Sequence, residues 1–340
     1  MQINRILIVG RGSIGKRHLR LARNIFPSAD IRVLRHLKSK SIPEYSNGCF
    51  YDIEDGINFA PQLAVIANPA TFHMTSAMPL AELGVHLFIE KPLAAASEGV
   101  EKLIKTCKKT EAVLAIGYNL RFLSSLRKFK SLIEDETIGR VWSVRSEVGQ
   151  YLPSWRPNSD YREGVSGQSK LGGGALLELS HEIDYMRWIF GEVEWVQAIL
   201  SRQSDLLIDV EDSAHLILGF SSNPNEQTII ASLNLDFIRQ DTTRMCTAIG
   251  SKGSLRWNGI IGTVESWTFG NTGWKEVYKE QSTRDDSYMK EWKNLITSIA
   301  ESSQPLITGE EGLKVLKIIE AARLADTSKG QVKLGSYGGL

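Results

Sequence analysis

Ile6-Leu-Ile-Val9, followed at once by Gly10-Arg-Gly-Ser-Ile-Gly15, is the stretch whose reading decides the fold. The four apolar residues have no polar alternation, so both faces of the strand they form are expected to be buried, as in the interior of a parallel sheet. A helical pattern begins directly after Gly15. Strand, GxGxxG and helix in that order form a dinucleotide-binding turn: Gly10 permits the tight bend, Gly12 lets a pyrophosphate approach the backbone, and Gly15 allows close helix packing. Ser13 and Ile14 lie in the same turn, where unpaired N–H groups and the positive end of the helix dipole face the phosphates. Lys16, Arg17 and His18 either add to that field or form a solvated first turn.

Working outward, Ile31-Arg-Val-Leu34 reads as the second strand. An NAD-preferring site would carry an acid at its end for the ribose 2′-hydroxyl, but Arg35 stands there. His36, Lys38 and Lys40 follow, with no carboxylate before Glu44. NADP is therefore the favoured cofactor, with NAD left open. Gln62-Leu-Ala-Val-Ile-Ala67 is a further buried strand whose carboxyl end delivers Asn68 and Pro69 to the cofactor crevice, and His73 on the next helix is read as structural. Val85-His-Leu-Phe-Ile89 delivers Glu90-Lys91-Pro92 to the same edge. A partly desolvated lysine there can polarise or protonate a substrate oxygen, while the competing reading is a surface lysine paired with Glu90. A helix over 97–110 and a strand over Ala112–Ile116 complete the parallel pattern.

The 340 residues suffice for two domains, and 40 basic against 39 acidic side chains give a net charge of +1. That balance argues against nucleic-acid binding, which calls for a strongly basic face. Cys49, Cys107 and Cys246 form no CxxC or CxxH pattern, so neither a disulfide framework nor a metal site is expected, and a reducing cytoplasm fits best. The start of the chain has no signal-peptide pattern, and no apolar run is long enough to cross a membrane.

From Arg140 the pattern changes to alternating strands. Between the first of them and Gly172, the loop Tyr151–Arg162 brings Trp155 and Tyr161 as flat faces for a sugar ring, with Arg156 and Arg162 as forks for a carboxylate or phosphate. The alternative is an ordinary connection with the arginines paired to Asp160 and Glu163. Gly172 to Gly191 reads as one glycine-led helix. Leu176, Leu179, Ile183, Met186 and Phe190 fall on one side, and Glu178, His181, Asp184, Tyr185 and Trp188 on the other. Strands are expected at 194–200, 213–220, 227–235, 244–249, from 254, at 264–269 and at 274–278. Helices are expected over 291–301 and 311–326, followed by a glycine-rich tail. Trp267 and Trp274 read as core or subunit contact.

Taken together, Gly10–Gly15, Glu90-Lys91-Pro92, Asn119-Leu-Arg-Phe122 and the Gly172–Gly191 segment resemble the Gfo/Idh/MocA oxidoreductase family. The resemblance spans nearly the whole chain. It implies an α/β plus α+β fold, with an N-terminal Rossmann domain over 1–120 and an open antiparallel-sheet domain for substrate binding and oligomerisation over 121–340. It also implies hydride exchange between nicotinamide and a sugar-like secondary alcohol, with Asn119 beside the cofactor and a homodimer or homotetramer formed through the sheet. Lys91 matches the family lysine that contacts the reacting hydroxyl, His181 the acid or base, and Asp184 the acid three residues beyond it. The family's acid four residues before the histidine is replaced by Leu177, and Glu178 stands three before. The loop before the helix resembles members that act on surface-polysaccharide and nonulosonic-acid sugars, which implies an anionic substrate. Two alternatives stay open: an epimerase or glycosidase that retains its cofactor and oxidises transiently, and a non-catalytic NADP-binding sensor or scaffold.

Overall fold

The computed structural model describes residues 3–36, 41–157, 159–220, 228–281, 283 and 285–337. Lys38, Lys40 and Gln227, which entered the sequence reading, lie outside them. Contacts divide the chain into two units, Met1–Tyr118 with Met289–Leu316, and Asn119–Tyr288 with Lys317–Leu340.

In the first unit the chain runs β1 (Arg5–Val9), α1 (Ser13–Ile25), β2 (Asp30–Leu34), β3 (Gly48–Phe50), α2 (Ile53–Asn58), β4 (Leu63–Ile66), α3 (His73–Glu82), β5 (His86–Glu90), α4 (Val100–Lys109) and β6 (Leu114–Gly117). The strands form one sheet in the order β3-β2-β1-β4-β5-β6, and every pairing within it is parallel. Ile6, Leu7, Ile8, Leu63, Ala64, Val65 and Ile66 are fully buried, as a sheet covered by helices on both faces requires. Strand order reverses between β1 and β4, which opens a crevice at their carboxyl ends. The short β3 and α2 were missed in the sequence because neither is long enough to establish a period.

The contact-based units differ from a division at 120/121 in the assignment of 289–316. Ile116 donates its N–H to Ile307 O at 3.0 Å, and Ala115 bridges to Thr308. Trp292 is fully buried, with its ring edge-on to Phe88 at 5.8 Å. These contacts complete the first unit's core from a distant stretch of chain, which local sequence patterns do not report.

The second unit contains α5 (Ser124–Glu134), β7 (Val141–Gly149), α6 (Ala175–Glu178), α7 (His181–Phe190), β8 (Val193–Ser201), β9 (Ser213–Phe220), β10 (Ile229–Asp236), β11 (Thr243–Gly250), β12 (Gly253–Asn258), β13 (Thr263–Thr268), β14 (Lys275–Lys279) and β15 (Val332–Lys333). The unit boundaries fall within α8 (Asp286–Glu301) and α9 (Gly309–Ser328). Nine strands among the described residues make one sheet in the order β14-β13-β12-β11-β7-β10-β9-β8-β15. It is mostly antiparallel, with the expectation corrected at its centre, where β7 and β10 run parallel from Ser143↔Ile230 to Gly149↔Asp236. The tail, read as featureless, adds β15 as an edge strand against Val196 and Trp195. One sheet face carries Val144, Val148, Leu216, Leu218, Leu233 and Leu235 into the core. The alternate positions Arg145, His215, Ile217, Ile230 and Ser232 lie on the other face, exposed or half-buried.

The Gly172–Gly191 segment is not one helix. α6 ends at Glu178, Leu179 leaves helical geometry (φ −99°, ψ 23°), and α7 begins at His181. The five apolar residues of the expected inner face are buried or nearly so, but Asp184 and Tyr185 are fully buried as well. The division into one apolar and one polar face therefore fails after His181.

Candidate active site

The glycine turn is built as its spacing requires. Gly10 has φ +98°, and a Cβ there would lie 2.6 Å from both Ala67 O and Asn68 N. A Cβ on Gly15 would collide with Gly10 O. At Gly12, by contrast, an added Cβ meets nothing within 4 Å among the described residues. Gly12 is the N-cap of α1 and supplies no side-chain cap, and the first turn holds no acid. Bare N–H groups, a positive dipole end and open space over the backbone coincide here, and that combination fits a dinucleotide pyrophosphate. Ser13 is exposed and Ile14 half-buried beside it.

At the end of β2, Arg35 lies against the ring of Tyr51 with its guanidinium carbon 5.6 Å from the centroid. It donates to Ser41 O at 2.9 Å and to Tyr51 Oη at 3.3 Å. The Tyr51 hydrogen bond raises its pKa above the ordinary arginine value. Asn68, which follows β4, donates through Nδ2 to Ser76 Oγ at 2.9 Å, and its Oδ1 is buried without a hydrogen-bond partner among the described residues. Pro69 caps the short turn that leads into α3. His73 is buried with Nε2 2.8 Å from Asn68 O and Nδ1 3.0 Å from Pro92 O, so it ties the loop after β4 to the loop after β5. Burial holds its pKa below 6.5, in keeping with the structural role expected of it.

Glu90 and Lys91 close β5. Lys91 N donates to Glu90 Oε2 at 3.1 Å, and His18 Nε2 lies 2.6 Å from Glu90 Oε1. His18 is fully buried, so neither expectation for it, phosphate field or solvated turn, is correct. It shares the inward face of α1 with Gly15, Leu19 and Ala22, and helical periodicity applied to that face would have found it.

In the second unit, Glu178 is half-buried and accepts from Ser166 Oγ at 3.1 Å. His181 opens α7 and is also half-buried, whereas Ser180, Glu182 and Asp184 around it are fully buried. The turn that leads to them is held by Glu211, whose Oε1 accepts from Leu176 N at 3.0 Å. Gly174 has φ +109°, and a Cβ there would collide with the Glu211 carboxylate. Burial raises the pKa of Glu211 above the usual carboxylate value.

Asp184 faces Arg121 in a bidentate pair, Nε to Oδ2 at 2.9 Å and Nη2 to Oδ1 at 2.6 Å, and both side chains are almost wholly enclosed. Tyr185 bonds Ser146 Oγ through its hydroxyl at 2.7 Å. Asn119 donates to Ser287 Oγ at 2.9 Å inside the same unit.

In the preceding loop, Trp155 donates to Gln150 O at 3.0 Å and packs edge-on against Phe237 at 5.2 Å. Tyr161 Oη accepts from Leu207 N at 3.3 Å. Arg162 is clamped by Asp160, with Nε 2.9 Å from both carboxylate oxygens, and those hydrogen bonds hold the Asp160 pKa below the usual range. Arg156 is exposed and has no ionic partner among the described residues. Trp267 and Trp274 meet edge-on at 6.1 Å, and Arg256 lies 4.3 Å over the Trp274 ring.

Sequence reasoning missed Trp292, Glu211 and the part played by Arg121. Arg121 lay inside a quoted motif, but its partner is 63 positions away. Trp292 and Glu211 carry no local signal at all.

The family model described as "Oxidoreductase family, NAD-binding Rossmann fold" matches residues 4–118. The companion model, "Oxidoreductase family, C-terminal alpha/beta domain", matches residues 130–334. Myo-inositol 2-dehydrogenase from Thermotoga maritima is 27% identical over 348 residues, covering 97% of this chain and 98% of that protein. A levoglucosan dehydrogenase solved with NADH and L-sorbose superposes with a TM-score of 0.84 at 20% identity, covering 97% of this chain and 98% of that one. The WlbA dehydrogenase from Bordetella pertussis, solved with NADH and UDP-GlcNAcA, gives a TM-score of 0.80 at 22% identity, covering 98% and 99% of the two chains.

Proposed function

The chain belongs to the Gfo/Idh/MocA family of nicotinamide-dependent oxidoreductases, and from that premise we propose that it exchanges hydride with a secondary alcohol or ketone of an anionic, sugar-like substrate. The observation that carries the cofactor half is the open space over Gly12 at an uncapped helix start. The bound cofactor supplies the hydride acceptor and donor. Gly10, Gly12, Ser13, Ile14 and Gly15 cradle its phosphates, and Asn68, Pro69, Glu90 and Asn119 border it. Arg35 at the end of β2 supports NADP as the preferred form, since a guanidinium there suits a 2′-phosphate and no acid stands in its place.

In this reading Lys91 stabilises the oxygen charge that develops as the alcohol is oxidised, and His181 removes or returns the hydroxyl proton. Glu178, half-buried three residues earlier, orients the proton transfer. Asp184, expected among the catalytic acids, is assigned to positioning, because both of its oxygens are engaged by Arg121.

Arg156 supports the anionic character of the substrate, as does the sugar nucleotide bound to the Bordetella protein. Arg162 contributes less, because Asp160 neutralises it. Trp155 and Tyr161 shape the sugar pocket. Two domains at 1–120 and 121–340, a homodimer or homotetramer through the outer sheet face and a cytoplasmic location complete the proposal. No helix among the described residues is long and apolar enough to cross a membrane.

The test is a thermal-shift comparison of NAD and NADP, followed by turnover on nonulosonic acids and sugar nucleotides. Stronger stabilisation by NADP and absorbance change on an anionic sugar are expected. Stronger stabilisation by NAD overturns the role of Arg35, and turnover without net cofactor reduction replaces dehydrogenation by transient oxidation.

A further inference from the structure

Glu90 ends β5, is 6% exposed, and receives hydrogen bonds on both carboxylate oxygens. Lys91 N donates to Oε2 at 3.1 Å, and His18 Nε2 approaches Oε1 at 2.6 Å. The proton on His18 is fixed from the far side of its ring. Trp292 Nε1 lies 3.0 Å from His18 Nδ1, and an indole N–H only donates. Nδ1 therefore carries a lone pair, the proton sits on Nε2, and a neutral histidine donates to Glu90. Acceptance at both oxygens is the arrangement of an ionised carboxylate.

The surroundings strengthen that charge. Phe88 lies edge-on to the His18 ring at 4.9 Å, and a Cβ on Gly117 would come within 3.0 Å of Glu90 Oε2. An anion among apolar walls and close backbone acts over a longer range than one in water. His73, the nearby titratable group from α3, is buried, which lowers its pKa and disfavours its charged form. Lys91 is the adjoining cation, and its charge is common to every variant considered below.

We infer that the Glu90 carboxylate biases the bound cofactor toward its oxidised form, as a fixed anion at the nicotinamide half of the crevice. The inference rests on the nicotinamide reading above. A sheet of this strand order receives one mononucleotide on each half. With Arg35 closing the β1–β3 half toward the adenine ribose, the β4–β6 half is left for nicotinamide, and Glu90 stands at the end of its middle strand. The oxidised ring is cationic and the reduced ring is neutral, so an anion behind it stabilises the first selectively. The bound reduced cofactor becomes the stronger hydride donor, and delivery of hydride to a carbonyl carbon, with a proton to its oxygen, is favoured over the reverse.

The test measures dissociation constants for the oxidised and reduced forms of one cofactor on the full chain and on three variants. Glu90→Gln and Glu90→Ala remove the charge, and whichever of them folds suffices. Glu90→Asp keeps it. Removing the charge is expected to weaken the oxidised form about tenfold relative to the reduced form, while Glu90→Asp keeps the wild-type ratio even where both affinities fall. Equal weakening of both forms in the neutral variants, or a shift in Glu90→Asp matching theirs, overturns the inference alone. Failure of the wild-type chain to bind either form overturns the nicotinamide reading and this inference together.

Discussion

The loops after β1, β4 and β5 in the first unit and the Gly172–Gly191 segment in the second hold their polar groups by different means. In the first, position follows from backbone: a glycine with φ +98°, a strand end and a helix start fix where each group stands, and side chains add support. In the second, position follows from long-range charge. Asp184 is gripped by Arg121, Glu182 by Arg244 at 2.7 Å, and the first turn of α6 by Glu211. The lesson is that one candidate site has a local sequence signature and the other is assembled by partners scattered along the chain.

The largest expected effect breaks the second mode. Asp184→Ala leaves the Arg121 guanidinium buried without its carboxylate and is expected to lower stability by about 3–5 kcal/mol. Chemical denaturation checks it, and the double change Arg121→Met with Asp184→Leu should recover most of the loss. Loss below about 1 kcal/mol in the single variant would mean that the pair does not hold α7 in place.

That contrast explains what the sequence revealed. The Rossmann order, the crevice and the tight turn at Gly10 and Gly15 were legible, because sterics at those two positions leave few alternatives. The half-covered strands of the second sheet were legible from alternation, but the parallel pair of β7 with β10 was not, since a strand's own pattern is silent about its neighbour's direction. Helical spacing placed His181 and Glu178 on one face, yet the break between α6 and α7 was hidden, because Leu179 and Ser180 carry no glycine or proline to mark it. Buried Asp184 looked catalytic, and buried Tyr185 was placed on the polar face, for the same reason. Polarity on a helix signals either solvent or a buried partner, and the partner lies elsewhere in the chain.

The first mode is sharpened by a pair of glycine substitutions. Gly10→Ala forces a side chain into a positive-φ site within 2.6 Å of backbone atoms, and a loss of about 2–4 kcal/mol is expected. Gly12→Ala meets no atom of the described residues within 4 Å, so its melting temperature should stay close to that of wild type while dinucleotide affinity falls about tenfold or more. Calorimetry and cofactor titration separate the two effects. Full affinity in Gly12→Ala would mean that no phosphate approaches this backbone.

A smaller effect comes from pH. Because burial lowers the folded-state pKa of His73 below 6.5, its contribution is fully present above that value and is lost as pH falls toward the folded pKa. Burial lowers His86 in the same direction. Stability should therefore decline on acidification from about pH 7, with His73 contributing at most about 1.4 kcal/mol per pH unit. Melting curves at stepped pH measure it, and His73→Asn should flatten the slope.

Single-turnover hydride transfer, on the anionic sugar found by the substrate screen, bears most directly on the proposed chemistry. His181→Asn is expected to slow it by about 10²–10⁴ with cofactor affinity unchanged, and Lys91→Met to slow it comparably. Full-rate transfer in both variants would contradict the assignment of proton transfer to His181 and oxyanion stabilisation to Lys91.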